Sequence, residues 1–191
     1  MKKYLGWLAL GIILVYGFTA LRGLQSHSNT VENAWAQVEN QLQRRYDLIP
    51  NLVETVKGYA SHEKSLFVEV TEARSKVGTL KIDIANATPE QMQEFSQAQG
   101  ELATVLSKLL LVRENYPQLK ANENFLKLQD ELAGTENRIA VERKRYNDEV
   151  KVMNNKVTVI PSSIVASLFG FQKLSYFEID SVAKNNPKVS F

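Results

Sequence analysis

The stretch VENAWAQVENQLQRRYDLIPNLVETV, Val31–Val56, places apolar residues three or four positions apart throughout. Two interleaved series with a seven-residue spacing continue to Val77. They are Val31, Val38, Arg45, Leu52, Tyr59, Leu66 and Ala73, and Trp35, Leu42, Ile49, Val56, Glu63, Val70 and Val77. Twelve of the 14 positions are apolar or aromatic. Such a repeat is typical of a helix packed in a bundle or a coiled coil.

Pro50 lies inside this repeat, yet the register continues unchanged on both sides of it. Proline removes one backbone donor, and its ring collides with the preceding helical turn. We therefore predict one helix over residues 29–79, kinked near 46–50, that begins at a capping box formed by Asn29 and Glu32. A full break, with Asp47 capping a second helix, is the alternative.

Further helical patterns follow over residues 88–116 and 119–156, and a short helix is predicted over 162–169. Short connections between long helices favour antiparallel neighbours. The predicted fold is all-α, an up-and-down antiparallel bundle of three to four long helices. The apolar stretch SLFGF, residues 167–171, is expected to cover the end of the bundle rather than to touch a membrane.

The N-terminal segment over residues 4–21 has no charged residue and is long enough to nearly cross a hydrocarbon core of about 30 Å. We predict an uncleaved transmembrane helix, since the apolar stretch exceeds that of a usual signal peptide. Lys2 and Lys3 against Arg22 favour a cytoplasmic N-terminus and an extracytoplasmic body, with a cytoplasmic body as the alternative. The expected division is anchor and linker 1–28, bundle 29–160, and short helix with an aromatic tail 161–191.

Composition excludes several classes of function. Beyond residue 28 the 20 Lys and Arg side chains are balanced by 21 Asp and Glu side chains, so no nucleic-acid partner is expected. The basic run Arg143-Lys144-Arg145 is diluted by neighbouring acids and is interpreted as a solvated surface. The chain has no cysteine, which excludes disulfides and thiol chemistry.

No catalytic or metal-binding motif is recognisable. His62-Glu63 begins like a zinc-protease helix, but the second histidine is replaced by Leu66. Glu-x-x-His pairs of the kind that bind two irons in a helical bundle are also missing. We therefore predict a protein that is not an enzyme and needs no cofactor or metal.

Arg45 and Glu63 are the charged members of the two apolar series. A lone charge removed from water costs several kcal/mol, so each needs a partner. They are about 27 Å apart along a helix and cannot pair with one another. The candidate partners on the helix over 119–156 are Glu136, Glu142 and Arg143.

Two interpretations of these charges stay open. In the first, buried ion pairs fix the register of the helices. In the second, Arg45, Asp47, Glu63 and the acids of the third helix form a ligand-binding or catalytic site. Solvent exposure distinguishes them, since a usable site must be open. At the C-terminus, Phe191 either packs on its own bundle or serves as a peptide for a PDZ-type partner.

Three segments together resemble the LemA family of bacterial membrane proteins. They are AWAQVENQLQRRYDLIPNLVETVKGYASHE (34–63), YPQLKANENFLKLQDELAGTENRIAVERKRYNDEVKVMN (116–154), and the ending IPSSIVASLFGF with NPKVSF. The resemblance implies an N-terminal anchor and a four-helix bundle, with no established activity or cofactor. It leaves open whether the fourth helix comes from a break at Pro50 or from the tail.

The leading hypothesis is thus a single-pass protein of the bacterial inner membrane that acts as a non-enzymatic scaffold and binds a protein partner in the envelope. Assembly of several copies through the bundle is a further hypothesis.

Overall fold

The computed structural model describes residues 2–178, and within that range the secondary structure is helical with no strand. The helices are α1 (Lys2–Lys57), α2 (Lys64–Thr79), α3 (Pro89–Leu111), α4 (Pro117–Lys120), α5 (Glu123–Thr158) and α6 (Ser162–Leu168). A short 3-10 turn, Val112–Asn115, follows α3. The predicted all-α class is confirmed.

Helix α1 does not begin at the predicted capping box. It runs without interruption from Lys2 through Asn29, so the predicted linker before Asn29 is helical. Leu24 and Val31 are seven residues apart and both are buried, which shows that the packed face extends back across this segment. Tertiary packing on that face outweighs a local capping signal. The first part of α1 is long and apolar enough to cross a membrane, and it is the one such stretch among the described residues.

Pro50 does not break α1 either, and the capping role proposed for Asp47 is wrong. Proline leaves the carbonyl of Tyr46, four residues earlier, without its helical donor. In the structure Nε of Arg74 donates to that carbonyl at 3.5 Å. The Arg74 guanidinium also lies 3.9 Å from the centre of the Tyr46 ring. Asp47 is exposed within the helix and accepts a hydrogen bond from Gln43.

The predicted single helix over residues 29–79 is wrong, because α1 ends at Lys57 and the chain turns at residues 58–63. The amide of Ala60 donates to the carbonyl of Val56 at 2.8 Å, and that of Glu63 to Ala60 at 3.1 Å. Ala60 is fully buried at this turn. The fourth bundle helix is therefore α2, which arises neither from a break at Pro50 nor from the tail.

The chain divides into two compact units. The bundle unit comprises residues 41–139 together with Phe177, and the anchor unit comprises residues 2–40 and 140–176. Helices α1 and α5 contribute to both. The boundaries predicted from the sequence, 1–28, 29–160 and 161–191, stay a prediction.

The bundle unit has a continuous apolar core. Its buried members are Ile49, Leu52, Val56, Ala60, Leu66, Val70, Leu102, Leu106, Leu109, Val112, Leu119, Phe125 and Leu132. Helices α2 and α3 run antiparallel, since surface ion pairs join Glu69 to Lys108 and Lys76 to Glu101. Thr88 caps the N-terminus of α3 and forms a complete capping box with Gln91.

In the anchor unit, the rings of Trp35 and Tyr146 are 5.0 Å apart at their centres. The chain beyond α6 is extended and held on α5. Tyr146 donates its hydroxyl hydrogen to the carbonyl of Ser175, and the Asn154 side chain bonds both backbone groups of Leu174. These contacts hold the irregular segment against α5.

The expectation that SLFGF covers the bundle end is wrong for much of this stretch. Val165 and Ala166 on α6 are buried, but Leu168 is 77% exposed and Phe169 is 59% exposed. Helix α6 ends at Leu168, and Gly170, two residues later, has a positive φ of 76° that glycine adopts at little cost. The amide of Phe171 donates to the carbonyl of Ala166 and that of Gly170 to the carbonyl of Ser167, which together form a Schellman motif at the end of α6.

Candidate functional site

Arg45 is a buried charged residue of the bundle unit. It lies on α1 and is only 1% exposed. Its Nη1 donates to both carboxylate oxygens of Glu136 on α5, at 3.0 and 3.3 Å. Its Nη2 donates to Oε1 of Gln99 on α3. We call these three residues the Arg45 centre, which ties three helices of the bundle unit together through one guanidinium.

Two buried hydroxyl groups, those of Ser96 and Thr135, lie close in sequence to Gln99 and Glu136. The hydroxyls of Ser96 and Thr135 donate to carbonyls one turn earlier in their own helices, each at 2.7 Å. Within the described part of the chain, Nε of Arg45 is a buried donor without a hydrogen-bond partner. The Glu136 side chain is 37% exposed, so this carboxylate is the part of the centre that reaches water.

Gln99 was not among the residues singled out from the sequence. It is buried on the apolar face of α3, three residues before Leu102 and four after Phe95. A polar side chain at such a position needs a partner as much as Arg45 does. Polar residues at apolar positions of two helices, Arg45 and Gln99, could therefore have predicted that the two side chains pair.

Glu63 takes a partner that the sequence did not indicate. It lies half-buried in the turn before α2 and accepts a hydrogen bond from the Tyr116 hydroxyl at 3.2 Å. Burial, and then the hydrogen bond and charge of Glu63, raise the pKa of Tyr116 above its usual value. The pair braces two connections of the bundle unit and is separate from the Arg45 centre.

The remaining predicted site residues have other surroundings, each described within its own unit. Asp47 is exposed. Glu142 and Arg143 belong to the anchor unit, where Glu142 lies 3.9 Å from the Arg145 guanidinium. Phe191 falls outside the described residues.

The Arg45 centre offers little to a reacting molecule. Its guanidinium already donates to a carboxylate and an amide inside the helix contacts, and it is closed to solvent. In residues 2–178 no group of three or more His, Asp or Glu side chains could hold a metal ion. The geometry suits a structural brace that fixes helix register better than a binding site.

Comparison with known proteins gives the chain a family context. A family model described as the LemA family matches residues 34–191. A protein named LemA from Metamycoplasma hominis is 21% identical over 177 residues, which cover 93% of this chain and 77% of that protein.

Further relatives carry the name magnetosome protein MamQ. The one from Magnetospirillum gryphiswaldense is 24% identical, over 89% of this chain and 71% of the relative. The one named MamQ 2, from Paramagnetospirillum magneticum, is 25% identical over 73% of this chain. This chain spans only 58% of the length of MamQ 2.

Proposed function

Because the chain belongs to the LemA family, whose model matches residues 34–191, we propose that it is a membrane-anchored, non-enzymatic interaction protein of the bacterial cell envelope. The apolar part of α1 would tether it through residues 4–21, and the bundle would present helical surfaces to a protein partner. The relatives named LemA and MamQ carry names that describe no reaction, in accord with this proposal.

The observation that carries the proposal is the closure of the Arg45 centre. Arg45 was the charged residue best placed to serve a ligand site. Because it is buried and bonded to Gln99 and Glu136, its role is to stabilise the packing of the helices. This burial counts against the alternative of a ligand-binding or catalytic bundle around Arg45 and Glu63. The outer helix faces then remain as the surfaces on which the protein can act.

Photo-crosslinking in living cells tests the proposal. A benzophenone amino acid is placed at Val68, Leu111 or Val141, which are exposed on α2, α3 and α5. We expect the same partner protein to be captured from positions on one face. Phe125, a fully buried aromatic residue, is the matched control and should capture no partner. Failure to capture a protein from any exposed position, under several growth conditions, would contradict the proposal.

We further propose that the body lies outside the cytoplasm, as the charges at the two ends of the anchor favour. The chain has no cysteine, so a single Val141→Cys variant reports its compartment directly. A membrane-impermeant maleimide should label this cysteine in cells whose outer membrane is permeabilised and whose inner membrane is intact. Labelling only after lysis would place the body in the cytoplasm.

Assembly of several copies is a further possibility for the same surfaces. Chemical crosslinking of the full chain in nanodiscs that hold one or several copies would distinguish a self-association from binding to a different partner.

A further inference from the structure

An exposed apolar edge follows the end of α5, the next turn and α6 in the anchor unit. The edge consists of Val159, Ile160, Ile164, Leu168 and Phe169, each more than half exposed. We call it the α6 edge. Isolated apolar residues on a surface need no explanation, but a contiguous group of this kind marks a surface that is covered by something else.

The α6 edge adjoins the predicted membrane span. An apolar groove of roughly 760 Å³ separates them. One wall is the anchor, with Ile12, Ile13, Phe18 and Leu21, and the other is the α6 side, with Pro161, Ile164, Leu168 and Phe169. The groove is thus continuous with the surface that the anchor would present to lipid.

The groove lies at a defined depth along the anchor. Its lining runs from Ile12 to Leu21, a rise of about 13.5 Å along an α-helix. That is close to half of a hydrocarbon core of about 30 Å. If residues 4–21 cross the membrane, the α6 edge therefore lies level with the leaflet at the C-terminal end of the anchor.

The backbone around the α6 edge carries its own hydrogen bonds, as any segment in hydrocarbon must. The amide of Val159 donates to Asn155, and that of Ser163 donates to Val159. The Ser162 hydroxyl lies 2.7 Å from the carbonyl of Lys156. The Schellman bonds at Gly170 close the other end of α6.

Basic side chains lie where the groove ends. The Arg22 guanidinium is 5.2 Å from the centre of the Phe18 ring, and Nζ of Lys156 donates to the carbonyl of Gly23 at 3.3 Å. Arg22 directly follows Leu21, the last groove-lining residue of the anchor, and Gly23 is two residues beyond it. Lys and Arg at this level typically mark the boundary between hydrocarbon and headgroups.

We propose that the α6 edge inserts into the leaflet at the C-terminal end of the anchor, so that lipid acyl chains fill the groove. The protein then holds the membrane by two elements, a spanning helix and a second element that enters one leaflet. The inference rests on the proposed anchoring by residues 4–21 and adds a fixed orientation of the anchor unit at the membrane surface.

Fluorescence quenching of the full chain in nanodiscs tests this proposal. The absence of native cysteine permits an NBD label at one site at a time. The variants are Leu168→Cys and Ile160→Cys on the α6 edge, Val15→Cys on the anchor outside the groove, and Val141→Cys on α5. All four positions are exposed in the protein, so the label is tolerated without repacking.

We expect nitroxide-bearing phospholipids to quench the label at Leu168 and Ile160 as strongly as at Val15, whereas iodide in the water quenches only Val141. Iodide quenching at Leu168 with lipid quenching at Val15 would overturn insertion and leave the anchor intact. Iodide quenching at both Leu168 and Val15 would also contradict the proposed anchoring by residues 4–21. Protection of Leu168 from both quenchers would show that protein covers the edge, and this also overturns the proposal.

Discussion

Arg45 in the bundle unit is a charged residue that is almost fully buried, whereas Leu168 in the anchor unit is an apolar residue that is largely exposed. Each departs from the usual distribution of side chains, in opposite directions. The Arg45 guanidinium donates hydrogen bonds to Glu136 and Gln99 within the chain. The apolar surface of Leu168 is not covered by other described residues. Its exposure is therefore informative about what surrounds the protein, whereas the burial of Arg45 is informative about stability.

The largest expected effect is at the Arg45 centre. We expect Arg45→Ala to lower the free energy of unfolding by about 3–5 kcal/mol, because it leaves the buried Gln99 amide without its partner and opens a cavity. Urea unfolding of the full chain in nanodiscs, followed by circular dichroism, measures the change.

The matched control for Arg45→Ala is the double variant Arg45→Met with Gln99→Leu. It replaces both buried polar partners with apolar groups of similar size, and Glu136 can turn to water. We expect it to recover most of the lost stability, since buried ion pairs are often replaced at little net cost. A single Arg45→Ala variant within about 1 kcal/mol of the parent would show that the centre does not brace the bundle.

The anchor unit also contains a buried polar group that has a hydrogen-bond partner, the Tyr146 hydroxyl. Burial raises the pKa of Tyr146 above its ordinary value near 10. The folded state therefore keeps a proton that the unfolded state loses, and stability falls as the pH rises above about 10. For one such group the slope approaches about 1.4 kcal/mol per pH unit.

Tyr146→Phe separates this contribution from that of other tyrosines. At pH 7 we expect it to lose about 1 kcal/mol, because the hydrogen bond to Ser175 is removed. Above pH 10 the gap to the parent should narrow, since phenylalanine does not ionise. Unfolding curves at several alkaline pH values measure it, and a gap that is constant with pH would contradict the assigned cause.

The architecture followed from the sequence because it depends on periodicity. The heptad series identified the packed faces, and the helical pattern from residue 88 indicated α3, which begins at Pro89. The turn at residues 58–63 was missed because Tyr59 and Leu66 keep the register of the apolar repeat across it. The start of α1 was missed because Leu24 and His27 look like a linker until α5 supplies contacts, such as the hydrogen bond between His27 and the carbonyl of Glu149.

The candidate site was only partly accessible from the sequence. Arg45 stands out because it breaks an apolar series, and Glu136 was among its candidate partners. Gln99 and Tyr116 were missed because a lone polar residue on an apolar face does not reveal which helix faces it. The α6 edge was misassigned because burial of Val165 and exposure of Leu168 depend on which side of a short helix meets its neighbour.

Arg74 tests how the bundle unit tolerates Pro50. Its guanidinium bonds the carbonyl freed by the proline and stacks on the Tyr46 ring. We expect Arg74→Ala to cost about 1–2 kcal/mol in urea unfolding. Arg74→Lys keeps the charge without the planar stacking group, so most of the loss should persist. Full stability of Arg74→Lys would show that charge alone supports the helix at Pro50.

The smallest effect is expected at Gly170, which ends α6 beside the exposed edge. Gly170→Ala should cost about 1 kcal/mol, because alanine strains at a positive φ although nothing crowds its Cβ. Gly134, inside α5, is the matched control with an equally open Cβ position and an ordinary helical backbone. There alanine should stabilise the protein by roughly 0.5–1 kcal/mol, because it favours the helix more than glycine does.

Opposite signs of the stability change in the two variants would assign the cost at Gly170 to backbone conformation. A loss at both positions would instead mean that crowding decides, and the sharp end of α6 would then need another cause.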